Sequence, residues 1–494
     1  MKFTSLLFIL LIKAALLAGI AWWSGIGLSP DEAQYWTWSQ RLALGYYSKP
    51  PGIAWQIAAG TYFLGDTVGG VRLFAQVIGL LFPLLIYALA KRADLTDKQA
   101  FWAALATALS PLGWLASLLA ITDGGLILFW CLAMLPLMRG SPNYFVVGLC
   151  IACGALFKWP IYWFWLLLGV AIPFAPRLWN RTLIPGVLLS FIGLLPSLIW
   201  NISHDWVTFR HVEATLVNEN LPDTGTTMLM KGNFWDFLGS QAALLSPILF
   251  ILLIGAVVEA TRKWKSTSEA IKICYIFGVV PLAIFLVASL FKKMQGNWCQ
   301  FAYPGLLILL VWYASERWLQ RGLVLSCALV AAVFAVPGLL RSGAPISPKI
   351  NPFKHNVGWE YISDNLSELG YDPQKEFLFT DKYQTTAITW FYGPEQHPSY
   401  FFNLQGVRLN QFSFWPGMEQ LEVGNTGYFI IVENEPHLSR QRESLIAKTP
   451  TQLAPYFAQV DYLGEKPLFL EAKKMMVWKC VNYNGKTPAD SHKY

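Results

Sequence analysis

The sequence predicts a polytopic α-helical membrane protein that carries a small α/β domain at its C-terminus. Three observations lead there. The 494 residues are 55% hydrophobic and only 14% charged, against about a quarter charged in a soluble globular chain. Apolar runs recur through residues 1–340, most of them about 17–25 residues long and so able to cross a bilayer. From Arg341 onward the composition becomes mixed, with 15 basic and 16 acidic residues in 154 positions. The boundary falls near Leu340, dividing the chain into a membrane domain, 1–340, and a C-terminal domain, 341–494.

Spans are expected near 4–25, 69–90, 99–118, 122–138, 144–158, 161–176, 182–200, 237–258, 271–291, 302–319 and 321–339, eleven in all. Lys2 ahead of the first run also fits a cleaved signal peptide, but the run is long for one and lacks a clean cleavage site. Alternating the spans from a cytoplasmic N-terminus puts "KRADLTDK" (91–98), Arg139, "PRLWNR" (176–181), "RKWK" (262–265) and "ERWLQR" (316–321) on the cytoplasmic side. Lysine and arginine in short loops concentrate there; Lys292 and Lys293 depart from the pattern. An odd number of spans exports the C-terminal domain. The net charge of +7 is then loop bias, not a nucleic-acid surface.

The C-terminal domain mixes strand-like runs, "EFLFTD", "AITWFYG", "GYFIIVEN" and "MMVWKCVNY", with helical stretches around 356–369 and 442–459. The seven cysteines suggest no disulfide framework. Cys150 and Cys153 have metal-motif spacing, but inside "VVGLCIACGALF", where no histidine or carboxylate could complete a site. There is no Walker loop, dinucleotide fingerprint or internal repeat.

Ionisable residues near membrane depth are costly and usually functional. Four places hold them on the extracytoplasmic side. The first is "LSPDEAQYWTWSQRLALGYYSKPPG", residues 28–52. Ser29 suits a helix N-cap, and Pro30, Asp31 and Glu32 suit the positive end of the helix that follows. Asp31, Tyr35 and Trp38 share one face, while Ala33, Trp36 and Leu44 suit the membrane interface. Lys49 precedes two prolines, which hold the backbone extended and aim its ammonium. A capped interfacial helix with a snorkelling lysine explains the same residues equally well.

The second place is Asp123 in "ITDGGLILFW", a carboxylate between apolar runs that also reads as turn chemistry. The third is Lys158 in "GALFKWP", suited to a lipid-borne phosphate or to snorkelling. The fourth, "WNISHDWVTFRHVEATL" (200–216), gathers His204, Asp205, Arg210, His211 and Glu213. His211 and Glu213 suit a metal or acid–base work, with a solvated loop as the plainer reading. Trp200, Trp206 and Phe209 would anchor this segment at the interface. Acids, cations and aromatics together on one side suit an anionic, lipid-borne substrate such as a polyprenyl-phosphate sugar.

"PDEAQYW", "GYYSKPPGIAW", "ITDGGLILFW", "GALFKWP", "WNISHDWVTFR", "MQGNWCQFAYPG" and "TDKYQTTAITWFYGPEQHP…GVRLNQFSFWPG" follow one another in the order of a known family. The chain resembles the GT-C superfamily, in its protein O-mannosyltransferase-like branch with the lipid A aminoarabinose transferase and the galacturonosyltransferases. The resemblance implies a GT-C fold, a bacterial inner-membrane location and an inverting glycosyltransferase. The donor would be a polyprenyl-phosphate sugar, and the acceptor lipid A, its core or another envelope glycan. It implies Asp31 and Asp123 as catalytic acids, and Lys49, Lys158 and Arg210 as donor-phosphate ligands. Glu32, Tyr35, Tyr46 and Tyr47 would bind substrate. The aminoarabinose transferase has a carboxylate directly before the lysine as part of a metal site. Here Ser48 takes that place, which weakens the case for a divalent metal and leaves His211 as a tentative ligand. The other readings are a carrier or flippase of lipid-linked sugars, and protein hydroxyls as the acceptor.

Overall fold

The computed structural model describes residues 3–217, 232–435 and 437–488; Lys2 lies outside them. Helix α1 (Phe3–Trp23) is followed by two helices of the first loop, α2 (Pro30–Ser39) and α3 (Gly52–Leu64), and then by α4 (Val68–Arg92). Among the described residues, five helices are long and apolar enough to cross a membrane: α1, α4, Leu183–Ile202, Glu269–Phe291 and Glu316–Arg341. Four shorter apolar helices accompany them, at Thr122–Leu137, Tyr144–Ala155, Trp159–Phe174 and Gln300–Tyr313.

Two of the expected spans are broken. The run at 99–118 is α5 (Asp97–Leu109) and α6 (Pro111–Leu118), bent by 59°. The run at 237–258 is Phe234–Leu245 and Pro247–Arg262, bent by 104°. In each case proline opens the second half, where its missing N–H costs nothing but the helix ahead of it cannot continue. Ser246 turns the sharper corner with φ at +80°. Its hydroxyl is tied to Ser326 at 2.8 Å. Counting each bent pair as one gives seven candidate spans.

The last long helix ends at Arg341, and the C-terminal region forms a five-stranded mixed sheet. Its strands are β1 (Glu376–Thr380), β2 (Ser399–Phe401), β3 (Thr426–Asn434), β4 (Phe457–Phe469) and β5 (Lys473–Tyr483), in the order β2-β1-β3-β5-β4. β1 runs parallel to β2 and β3, while β5 is antiparallel to β3 and β4. Two local expectations fail. "AITWFYG" lies in the helix Tyr383–Tyr392, where Thr389 Oγ1 bonds back to the Thr385 carbonyl and the aromatics pack on α2. Residues 457–459 begin β4 instead of ending a helix that already stops at Leu453.

The sheet region and the first loop share one apolar core. Ala33, Tyr35, Trp36, Trp38 and Tyr46 pack with Trp359, Ile388, Trp390, Phe391 and Tyr428. Ala33 and Trp36 are therefore not membrane-interface residues. Trp36 sets its ring edge-on to Trp390 and Phe391, at 5.9 and 4.9 Å between centroids, and donates to Asp66 at 2.7 Å. Tyr392 also accepts the Leu28 N–H at 2.7 Å, so the chain entering α2 is held from the C-terminal side.

Candidate active site

Local chemistry fixes α2 first. Ser29 accepts the Glu32 N–H and the Glu32 carboxylate accepts the Ser29 N–H, a capping box with Pro30 at the first position. Glu32 is fully buried and all its acceptor capacity is used. Arg72 of α4 clamps it through two bonds of 2.8 Å, and the Ala120 N–H adds a third donor at 3.0 Å. Arg72 also donates to the carbonyls of Ile26 and Gly27. Glu32 thus anchors the helix and is not available to bind substrate.

The next residue back points the other way. Asp31 is exposed to the space in front of α2, yet protein surrounds it closely enough that desolvation raises its carboxyl above the usual range. Lys49 opposes that rise and Glu32 adds to it. Tyr35, one turn along, is 7% exposed and lies within electrostatic reach of Asp31 and Asp123.

Lys49 arrives through a different construction. Tyr46 is fully buried and stacks on Trp38 at 4.6 Å, sharing its O–H between the carbonyls of Trp38 and Arg41. It braces the loop and does not face a ligand. Tyr47 lies with its ring 4.8 Å from His211, and its N–H donates to Gln411 at 2.7 Å. Pro51 already has helical angles, φ −77° and ψ −16°, as the N-cap of α3. The extended stretch is therefore shorter than two prolines imply. Gly52 donates to the Leu156 carbonyl at 2.7 Å, and a Cβ there would come within 2.6 Å of that oxygen. This close approach docks the Lys49 loop beside Lys158. Burial lowers the Lys49 ammonium below the usual lysine value, Lys158 lowers it further, and Asp123 and Asp31 raise it. No carboxylate closes on Lys49 as an ion pair among the described residues.

Asp123 sits in the first turn of α7 (Thr122–Met134) and is 4% exposed, so the Asp-Gly-Gly sequence is helical here and not a turn. Lys158 pairs with it at 2.7 Å, and Asn297 donates to its second oxygen at 3.3 Å. The pair removes Lys158 from the free cations. Beside Asp123 opens a mainly apolar cavity of about 800 Å³, walled by α6, Leu244, Val333 and Phe334, with Asn297 and Gln300 at its polar end.

His211 lies on the helix Val207–Val217, against the Tyr47 ring and 3.5 Å from an Arg408 nitrogen. Burial, Arg408 and Lys49 push its pKa down to about 4. Its identified neighbours are cations and an aromatic ring, and no group of three His, Cys, Asp or Glu side chains gathers among the described residues. Arg210 is exposed on the same helix, one residue away. His204 is stacked on Trp200 at 3.9 Å and bonded to its carbonyl, apart from the site, and Trp200 is buried instead of anchoring at an interface.

Two residues that single-residue reasoning passed over come from the C-terminal region. Tyr383 lies within electrostatic reach of Asp31 and Arg408, and Arg408 in turn faces His211 and Lys49. The motif "TDKYQTTAITWFYGPEQHP…GVRLNQFSFWPG" contained both, and it was the only signal for them.

Residues 48–200 match the model of the dolichyl-phosphate-mannose-protein mannosyltransferase family. Crystal structures of ArnT from Cupriavidus metallidurans superpose with TM-scores of 0.62 in the apo state and 0.60 when bound to undecaprenyl phosphate. Identity is 15% and 13%, over 94% and 96% of this chain and 97% and 98% of theirs, so the shared property is the fold. The resemblance expected from the sequence holds: the chain shares the fold of the ArnT structures, and over residues 48–200 it is similar in sequence to a polyprenol-phosphate-sugar glycosyltransferase family. A more specific likeness is to the lipid A galacturonosyltransferase RgtD of Rhizobium johnstonii. It is 29% identical over 73% of this chain and 76% of that protein.

Proposed function

We propose that the protein transfers a sugar, with inversion, from a polyprenyl-phosphate donor to lipid A or a related envelope glycolipid. The observation that carries this reading is Lys49, which has no carboxylate ion-pair partner among the described residues, within electrostatic reach of Asp31 and Asp123, where Asp123 lines a lipid-sized apolar cavity. The acceptor hydroxyl loses its proton to Asp31 as its oxygen bonds to the anomeric carbon. The bond from that carbon to the phosphate oxygen breaks, and polyprenyl phosphate leaves towards Lys49. Asp123, through Lys158 and Asn297, sets the wall against which Lys49 is docked. The apolar cavity takes a lipid chain of donor or acceptor. The relatives favour these substrates: one is a lipid A galacturonosyltransferase, another was crystallised with undecaprenyl phosphate.

Eleven spans follow when the four shorter apolar helices are added to the seven candidates. With that count and a cytoplasmic N-terminus, we infer that the site and the 341–494 domain face the extracytoplasmic side of the bacterial inner membrane, with 1–340 as the membrane domain. Mass spectrometry of lipid A from cells with and without the active protein tests the acceptor. A sugar-sized mass difference supports the reading, and unchanged lipid A together with unchanged envelope glycolipids overturns it.

A further inference from the structure

Arg408 is not used by the mechanism above, although it stands in the same space. It is exposed, lies within electrostatic reach of Tyr383 and has a guanidinium nitrogen 3.5 Å from His211 Nδ1. None of its partners is an acid among the described residues, so its charge is not cancelled locally. At pH 7 His211 is neutral, with its pKa held at about 4, so it orients the guanidinium without competing with it.

The geometry points to Arg408 as a second donor-phosphate ligand, delivered to the membrane site by the C-terminal region. This deepens the transfer reading and rests on it. The argument is one of charge. Before transfer the donor phosphate is a diester with one negative charge; afterwards it is a monoester with up to two. Over the same step Asp31 takes the acceptor proton and loses its charge. Glu32 is neutralised by Arg72, and Asp123 by Lys158. With Lys49 and Arg408 both present, these groups and the phosphate sum to zero before and after the reaction. Without Arg408, these same groups and the phosphate sum to one net negative charge throughout, in surroundings that already desolvate Asp31. An arginine fork also matches phosphate geometry better than a lysine point charge. The C-terminal region thus completes the active site instead of merely covering it.

The test uses the purified full-length protein in detergent, with undecaprenyl phosphate as the binding probe and a polyprenyl-phosphate sugar as donor. Arg408→Gln is expected to weaken undecaprenyl phosphate binding about tenfold or more. Turnover should fall about a hundredfold, with thermal unfolding unchanged. Arg408→Lys should recover part of both, and Tyr383→Phe should lose less than either. Wild-type binding and turnover in Arg408→Gln would overturn the assignment. If Arg408→Gln does not fold, Arg408→Lys decides: reduced probe binding in a normally folded protein supports the role, and undiminished binding and turnover removes it. Failure of the wild-type protein to bind the probe or consume any such donor sinks the transfer reading itself, a different result.

Discussion

Glu32 and Arg72 form a buried two-armed ion pair between the first-loop helix and α4, with 0% and 3% of their side chains exposed. The pair spans the joint that sets the angle of Asp31, its sequence neighbour. Glu32→Gln leaves the guanidinium buried without its charge partner, at a cost of about 3–5 kcal/mol. The expected result is a large drop in unfolding temperature in detergent, with loss of transfer even at temperatures where the protein stays folded. Replacing both residues, as Glu32→Gln with Arg72→Met, should recover stability over Glu32→Gln alone, because no unpaired charge remains.

Asp31→Asn separates chemistry from architecture. Desolvation raises the folded-state pKa of Asp31 above its unfolded value. Such a group stabilises the fold at low pH, where it is protonated in both states, and that contribution is lost as pH rises through its folded pKa. At neutral pH the ionised carboxylate therefore weakens the native state. Asp31→Asn is expected to insert normally, to unfold at the wild-type temperature or above it, and to lose transfer. Full transfer by this variant would take Asp31 out of the mechanism.

How much of this was legible in the sequence depended on how local each cause is. The N-cap at Ser29 and the acidic first turn that follows it are written within four residues, whereas the breaks ahead of Pro111 and Pro247 were hidden inside continuous apolar runs. Composition marked the change at Arg341, where the last long helix ends. The burial of Glu32 was not legible, because its partner Arg72 lies forty residues away in an apolar run. Trp36 read as an interfacial tryptophan for the same reason: what covers it, Trp390 and Phe391, belongs to the far end of the chain. Tyr46 and Tyr47 looked alike in "GYYSKPPG", yet one braces the loop against Trp38 and the other meets His211. Arg408 stood in a motif that carried no local sign of its role, and the fold returns it to Lys49 and His211.

The pH dependence of transfer gives a third test. If Asp31 must be ionised to accept the proton, activity falls on the acid side with the pKa of that carboxyl. Because burial raises it, this limb should lie above the range of an exposed aspartate. Lys49 lowers the Asp31 pKa, so Lys49→Gln should move the acid limb of residual activity to still higher pH, besides lowering turnover. The measurement is kcat/KM against pH for both proteins. An acid limb that stays fixed in Lys49→Gln would show that the two groups do not act on the same step.

Trp36→Ala tests whether the C-terminal region holds the first-loop helix in place. Trp36 is 2% exposed, and its ring contributes two edge-on aromatic contacts to the shared core. Truncation of a buried tryptophan costs about 3–5 kcal/mol, and here the loss falls on the contact between two parts of the chain instead of within either. The Asp66 carboxylate also loses the indole N–H, retaining only the Gln40 amide among its side-chain donors. The connector at 342–358 should become more accessible to protease, while the membrane helices keep their helical content by circular dichroism. Turnover should fall although no group in contact with substrate has changed, since α2 carries Asp31 and the displaced region carries Tyr383 and Arg408. Increased cleavage of the connector with undiminished turnover would show that the membrane helices alone suffice to hold Asp31.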